Sequence, residues 1–271
     1  MSYLLRETAP VSPELWEQID STVINTARNI LTGRRFLHLF GPLGIGVESI
    51  PVDDADSLEE VVRDDHIMVQ GRKFVGIPVI YDDFVLLARD LEVSRKSEYP
   101  ADLSRAAAAA ENAALQEDRR IYFGSEELGI QGLLTAEGIN KVHRNDWRTG
   151  ENALTDVAAG IQVLTENKLY GPFALAVSPD LYMQMQRLQE GTGLLEIDRV
   201  SKLLNGNIYN VPVLGSGKAV LVCSDPRNMD LVIGQDMTTA YLESRNLNHE
   251  FRILETILLR IKRKQAIVVF E

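Results

Sequence analysis

Residues Gly33-Arg34-Arg35-Phe36-Leu37-His38-Leu39-Phe40-Gly41-Pro42-Leu43-Gly44 form a glycine-bounded apolar stretch, and the segment before it opens on Pro13-Glu14-Leu15-Trp16. Ser12 stands at an N-cap position and Pro13 suits a first helical turn. Trp16, Ile19, Val23, Ala27 and Ile30 then recur at helical spacing, with Asp20, Asn25 and Arg28 off that face. Gly33 is placed to stop this helix. Phe36, Leu37, Leu39 and Phe40 read as a short strand. No catalytic motif of comparable length occurs elsewhere, so the segment points to a surface that meets other proteins.

Working outward, residues 46–77 have a different character. Val47, Ile50 and Val52 lead into the acidic run Asp53-Asp54-Ala55-Asp56, and Ile67, Val69, Phe74 and Val75 suggest a returning strand. Few of these residues look able to anchor a core. The segment reads as a two-stranded excursion, marginal alone and stabilised by a partner surface. Ile77-Pro78-Val79-Ile80-Tyr81 and Phe84-Val85-Leu86-Leu87 re-enter the body as strand. A long helix follows from about Leu103 to Phe123, rich in alanine from Ala106 to Ala114 and suited to a buried central position.

The second half alternates. Leu154, Val157, Ala158, Ile161 and Leu164 mark a helix; Phe173-Ala174-Leu175-Ala176-Val177 is a buried strand; Ser178-Pro179-Asp180 opens another helix. Gly191-Thr192-Gly193 breaks the chain before a helix with Val200, Leu203 and Leu204. Strands are expected at about 219–224, 230–234, 238–243, 250–262 and 266–270. The pattern is α+β, without the βαβ rhythm of a doubly wound sheet.

With 271 residues and a formal charge of −11, the chain has room for a full core and is a poor match to nucleic acid. The basic cluster Arg260-Ile261-Lys262-Arg263-Lys264 alternates with apolar residues, as a strand with one solvated face would. The one cysteine, Cys223, lies in an apolar run and fits a reducing, cytoplasmic setting. No signal peptide or membrane-spanning run is visible.

Chemistry is hard to find. Gly215-Ser216-Gly217-Lys218 lacks the spacing of a phosphate loop, since Pro212 and Ala219 occupy required positions. His38, His66, His143 and His249 are too scattered for metal-ligand spacing. Asp53, Asp54, Asp56 and Asp64-Asp65 read as solvated loop. Glu117-Asp118, with Arg119 and Arg120 adjacent, reads as an ion-paired helix end. No nucleophile elbow occurs.

In order along the chain, Ala9-Pro10, Trp16 with Ile19-Asp20, Gly33-Arg34-Arg35-Phe36, Gly41-Pro42-Leu43-Gly44 and Gln116-Glu117-Asp118 before Ile121-Tyr122-Phe123-Gly124 form the first part of a longer pattern. Gly129-Ile130-Gln131-Gly132-Leu133-Leu134, Gly171-Pro172-Phe173-Ala174-Leu175, Ser178-Pro179-Asp180-Leu181-Tyr182, Gly234-Gln235-Asp236 and His249-Glu250-Phe251-Arg252 continue it. Together they resemble encapsulins, the bacterial and archaeal nanocompartment shell proteins. The resemblance implies the fold of tailed-phage major capsid proteins: peripheral domain, extended loop and axial domain. Residues 1–45 would hold the N-terminal helix and the start of the peripheral domain, 46–77 the extended loop, and 78–137 the peripheral domain with its spine helix. Residues 138–235 would form the axial domain, and 236–271 would return to the peripheral domain.

The same resemblance implies a self-assembling icosahedral shell, with no enzymatic activity of its own, around a peroxidase or ferritin-like iron-handling cargo. A short terminal peptide on the cargo would dock in a groove, for which Leu31, Arg34, His38, Asp236, Met237 and Ala240 are the candidates. The apolar members would take peptide side chains and Arg34 a carboxylate; local pairing is the alternative reading for Arg34 and Asp236. His38 departs from relatives that carry an acid there. Gly191, Thr192, Gly193, Leu194, Leu195 and Glu196 would ring a five-fold pore. Leu87 stands where flavin-binding relatives place an aromatic residue, so no flavin is expected, nor any metal. The alternatives are a phage or prophage capsid protein, a protease or bacteriocin, and a small enzyme with an unrecognised site.

Overall fold

The computed structural model describes residues 3–52, 59–63, 66–70, 72–96, 100–189, 191 and 193–271. In chain order, α1 (Pro13–Ile30) is followed by a single 3-10 turn (Gly33–Arg35) and β1 (Leu39–Phe40). Four short strands come next: β2 (Ser49–Pro51), β3 (Glu59–Arg63), β4 (His66–Gln70) and β5 (Phe74–Gly76). Then come β6 (Val79–Leu86), α2 (Ala88–Lys96), α3 (Ser104–Phe123), β7 (Gly124–Ser125), β8 (Ile130–Gln131) and β9 (Asn140–Val142). The second half contains α4 (Asn152–Glu166), β10 (Phe173–Val177), α5 (Pro179–Gln184), α6 (Glu196–Leu203) and β11 (Ile208–Asn210). The chain closes with β12 (Ala219–Cys223), β13 (Met229–Arg245), β14 (Asn248–Ile261) and β15 (Ile267–Phe270).

Two sheets organise these elements. One has the order β1-β13-β14-β6 and the other β11-β10-β12-β15-β9. α1 and α3 lie on one face of the first. Trp16, Ile19 and Val23 of α1 meet Phe84, Phe251 and Ile253 of the sheet, with the alanines of α3 alongside. Ala106, Ala109, Ala110, Ala113 and Ala114 are all buried, and side chains this small let α1 approach α3 closely. Phe251 stacks on Phe84 at 5.2 Å and meets Trp16 edge-on at 5.5 Å. Such pairs add about 1 kcal/mol each to the burial of their rings.

The larger core lies between the second sheet and α4 and reaches the end of α3, where Ile121 and Tyr122 join it. Phe173-Ala174-Leu175-Ala176-Val177 is nearly continuous burial because β10 is covered on both faces. Ser12 caps α1 by accepting a hydrogen bond from the Leu15 nitrogen at 3.2 Å, as its position predicts.

Several expectations need correction. α1 ends at Ile30, and Gly33 is not its stop signal. A Cβ at Gly33 would be driven into Ile121, so the glycine is there for close packing on α3. Segment 46–77 does form paired strands, β2 with β5 and β3 with β4, but its base is anchored. Ile50 and Ile77 are buried with Ile130, Val232 and Leu258. The strands expected at 230–234 and 238–243 are one strand, β13, carried across irregularities by its long partner β14. A boundary at 235/236 therefore falls inside β13, and β15 pairs with β12 and β9 in the second sheet instead of returning to the first. The basic cluster at 260–264 is only partly solvated. Arg260 and Lys262 both turn to the buried Asp230, at 2.7 and 2.6 Å.

Candidate functional site

The chain leaves α1 at Leu31 and turns over α3, and two adjacent acids on α3 hold that turn. Asp118 accepts from the Thr32 nitrogen at 3.0 Å, the Thr32 hydroxyl at 2.7 Å and the Gly33 nitrogen at 3.0 Å. Burial pushes its carboxyl up to about 6, against the downward pull of those hydrogen bonds. Glu117 takes Arg34 in a fork: Nε at 2.8 Å and Nη2 at 2.8 Å. The same guanidinium donates to Glu255 of β14 at 2.8 Å and to Asp236 of β13 at 2.6 Å.

Arg34 is thus surrounded by three carboxylates of this chain. Burial alone would pull its pKa down, but hydrogen bonding to Glu117 and the charges of Glu117 and Glu255 more than reverse that and hold it protonated. The local-pairing reading of Arg34 and Asp236 is the geometry observed, and Arg34 has little left to offer a peptide carboxylate. Glu117 and Asp118 are fully buried, so they are not a solvated helix end paired to Arg119 and Arg120. The signal was in the sequence. Ala110, Ala113, Ala114, Glu117, Asp118 and Ile121 fall on one helical stripe, so the acids share the apolar face.

Opposite this turn, β13 departs from its ladder. Gln235 pairs with Thr256 and Thr238 with Leu254, so Asp236 and Met237 are extra residues facing Glu255 alone. A bulge of this kind re-aims side chains. Met237 is turned onto Leu31, Ala27 and Ala114, where it is half-buried. Asp236 stays exposed at its outer end, bonded to Arg34.

Leu31, Arg34, Asp236 and Met237 are therefore brought together; the other two candidates are not. Ala240 pairs in register with Arg252 and Tyr241 with Phe251, and Phe251 faces α1. Strand alternation puts Ala240 on the reverse face. His38 is exposed at the start of β1, where its carbonyl accepts from the Leu231 nitrogen at 2.8 Å.

Sequence reasoning also missed the N-terminal segment. The Tyr3 hydroxyl donates to Gln235 at 2.8 Å, and the Leu4 carbonyl accepts from the Tyr241 nitrogen at 2.9 Å. Arg6 pairs with Asp20 and lies 4.1 Å over the Trp16 ring. Residues 3–6 thus run along the β13 edge that β1 leaves open, next to the bulge.

The 188–196 loop is a second candidate. Leu188 and Leu195 form an isolated antiparallel bridge, and the Gln189 nitrogen donates to the Leu194 carbonyl at 2.9 Å, which ties the base of the loop. Gly191 and Gly193 have φ of +78° and +67°, a conformation that glycine adopts without strain. Leu194 is exposed and Leu195 half-buried; Thr192 lies outside the described residues. Glu196 does not belong with them. It is fully buried, accepts from the Ala153 nitrogen at 3.0 Å at the start of α4, and pairs with Arg187 at 2.7 Å. That is the place of a carboxylate meeting unpaired N–H groups at a helix start.

No helix among the described residues is long and apolar enough to cross a membrane. The Linocin_M18 family model, described as "Encapsulating protein for peroxidase", matches residues 1–258. The Type 1 encapsulin shell protein EncA of Myxococcus xanthus is 39% identical over 269 residues, 97% of this chain and 94% of that protein. Among solved structures, a virus-like particle from Pyrococcus furiosus superposes with a TM-score of 0.78 at 24% identity, over 95% of this chain and 100% of the other. The capsid of Myoviridae Phage XM1 superposes with a TM-score of 0.62 at 12% identity, over 88% of this chain and 90% of the other. The fold is that of phage major capsid proteins, and the sequence places the chain within the encapsulin shell proteins, a structural family and not an enzymatic one.

Proposed function

We propose that the shell built from this chain takes up its cargo through a short terminal peptide that docks against Leu31 and Met237. The observation that carries this reading is the bulge in β13. It lifts Met237 out of the ladder and onto the end of α1, where Met237 covers the buried Leu31 and forms a small apolar surface edged by Asp236. Peptide side chains would cover Leu31 and Met237, while Arg34 stays with its own three carboxylates. The cargo classes that suit the family are a peroxidase or a ferritin-like iron-handling protein. The compartment's location would be the cytoplasm, which suits a chain whose one cysteine is a buried free thiol.

The same reading puts Gly191, Gly193, Leu194 and Leu195 at an opening between subunits, where several loops crowd one axis. Glu196, committed to α4 and Arg187, is not among them. Closure would come from contacts that repeat around symmetry axes, each modest and effective together.

Met237→Asp tests the groove, since Met237 is half-exposed while Leu31 is buried beneath it. Hollow particles should persist in negative-stain electron microscopy, and co-purifying cargo should fall by about a hundredfold or more, as expected when a charge enters an apolar contact. Undiminished cargo would place docking elsewhere. Monomers or dimers of the unaltered chain, in every salt and pH tried, would defeat self-assembly of this chain by itself.

A further inference from the structure

Beneath the Leu31–Met237 surface lie more carboxylates than cations. Glu117 and Glu255 are both fully buried, and one guanidinium nitrogen of Arg34 donates to each of them. Two ionised carboxylates with one cation would leave an uncompensated charge in the interior, which is strongly unfavourable. Oε1 of Glu255 meets no N–H or O–H donor among the described residues. Its carboxyl is brought beside that of Glu117 because both accept from the same nitrogen, Nη2 of Arg34, at 2.8 Å each. Two carboxylates repel there, whereas a carboxyl and a carboxylate form a strong hydrogen bond.

Among the described residues, Arg34 is the cation paired with both carboxylates. On α3 the next acid, Asp118, is itself buried and bonded to Thr32 and Gly33. From β13 the facing group is Asp236, a further negative charge already bonded to Arg34. From β6 the register partner of Glu255 is Ile80, and the charged residue two along, Asp82, is bonded to Asn112 at 2.9 Å. From the turn Arg34 faces the pair, while Arg35 donates to the carbonyls of Arg28 and Asn29 at 3.3 and 3.1 Å.

We propose that Glu255 keeps its proton at neutral pH and donates it to Glu117, and that this pair and Asp118 are positioning residues, holding Arg34 and the turn at Leu31–Gly33 beneath the docking surface and so tying peptide docking to pH. The inference rests on the reading of Leu31 and Met237 as that surface. Burial and the charge of Glu117 hold the Glu255 carboxyl well above the usual range for glutamate, with Arg34 pulling the other way. A carboxyl raised in the folded state favours that state on the acid side. The advantage declines as pH climbs from the ordinary glutamate value through the raised one. Ionisation of the pair then adds a negative charge under Asp236 and loosens the turn from α3.

Infrared spectra of assembled shells test the proton directly. A carboxylic-acid carbonyl band should be present at neutral pH, should disappear as the shells are made alkaline, and should be missing from Glu255→Gln. A neutral-pH spectrum without that band overturns the proposal, and the unaltered shell alone can show it. Binding of a labelled peptide copied from the cargo terminus supplies the functional arm. Affinity should fall about tenfold per pH unit above the apparent pKa of the pair in the unaltered shell, as for one linked proton. Above about pH 7, where Asp118 is largely ionised, it should be flat with pH in Glu255→Gln. Parallel pH profiles in the two shells overturn the positioning role. Should the band behave as stated while the peptide ignores Met237→Asp, the docking reading fails and the shared proton stands.

Discussion

Gly124 and Gly132 bring two backbones together at the end of α3. A Cβ on Gly132 would sit 2.6 Å from the Phe123 nitrogen, and one on Gly124 would sit 2.7 Å from the Gly132 nitrogen. The atoms in the way are main chain held by hydrogen bonds, so they cannot move aside as a side-chain tip would. Gly132→Ala should destabilise the subunit by about 3 kcal/mol or more, the upper range for forced overpacking. Gly129→Ala, at φ +64° with nothing within 4 Å, should cost only about 1 kcal/mol of left-handed strain. Thermal unfolding of the two variants checks the difference; equal losses would show that the close approach is not what fixes Gly132. These glycines were visible in the sequence as members of the longer pattern along the chain, but their reason was not, because it lies in a contact between the two of them. Arg34 is similar. Its position at the turn was legible, whereas its three partners arrive from α3, β13 and β14, at separations of 83, 202 and 221 residues.

The β3–β4 ribbon shows what an element can declare before its partner is known. Glu60 pairs with Val69 and Val62 with Ile67, so these four side chains share one face. Val62 is 70% exposed and Ile67 69% exposed, more than a strand pair would leave bare if it worked alone. A second copy of the chain is the natural cover for a shell protein. Val62→Asp with Ile67→Asp should change subunit stability by less than about 0.5 kcal/mol, since neither side chain is buried within the subunit. Assembly should be lost, giving small species by size-exclusion chromatography and no hollow particles by microscopy. Intact shells from the double variant would show that this face does not join subunits. A deletion aimed at the same question should spare β2 and β5, because Ile50 and Ile77 belong to the subunit's own core. The anchoring at Ile50 was hidden in the sequence, since one isoleucine between Glu48-Ser49 and Pro51 carries no periodic signal; Ile77 was legible as the start of the re-entering strand. α2 was missed for a related reason: of its nine residues only Leu91 is buried, so there is no apolar stripe to read.

Across the whole molecule, the β13–β14 hairpin links the two sheets. It carries the core under α1 and α3 at one end and supplies Leu231, Ile257 and Leu259 to the larger core at the other. A short 3-10 turn at Lys264–Ala266 then delivers β15 to the second sheet, where it is an interior strand between β12 and β9. The sequence showed a terminal strand but not which sheet it would enter, because an apolar run of four residues fits the interior of either. Its position makes the end of the chain structural. Ile267, Val268, Val269 and Phe270 are all buried, and Phe270 meets the Trp147 ring at 6.0 Å. At about 2 kcal/mol for each buried side chain, their removal costs roughly 8 kcal/mol, comparable with the whole stability of a domain. A chain ending at residue 266 should therefore yield neither shells nor a soluble folded subunit. Loss of Glu271 alone removes one exposed pair with Lys141 and two backbone bonds, from the Arg144 nitrogen and to the Val142 carbonyl, and shells should still form. Circular dichroism and microscopy of the two truncations separate the cases. Shells from the shorter chain would mean that β15 is dispensable and that the second sheet is held by α4 without it.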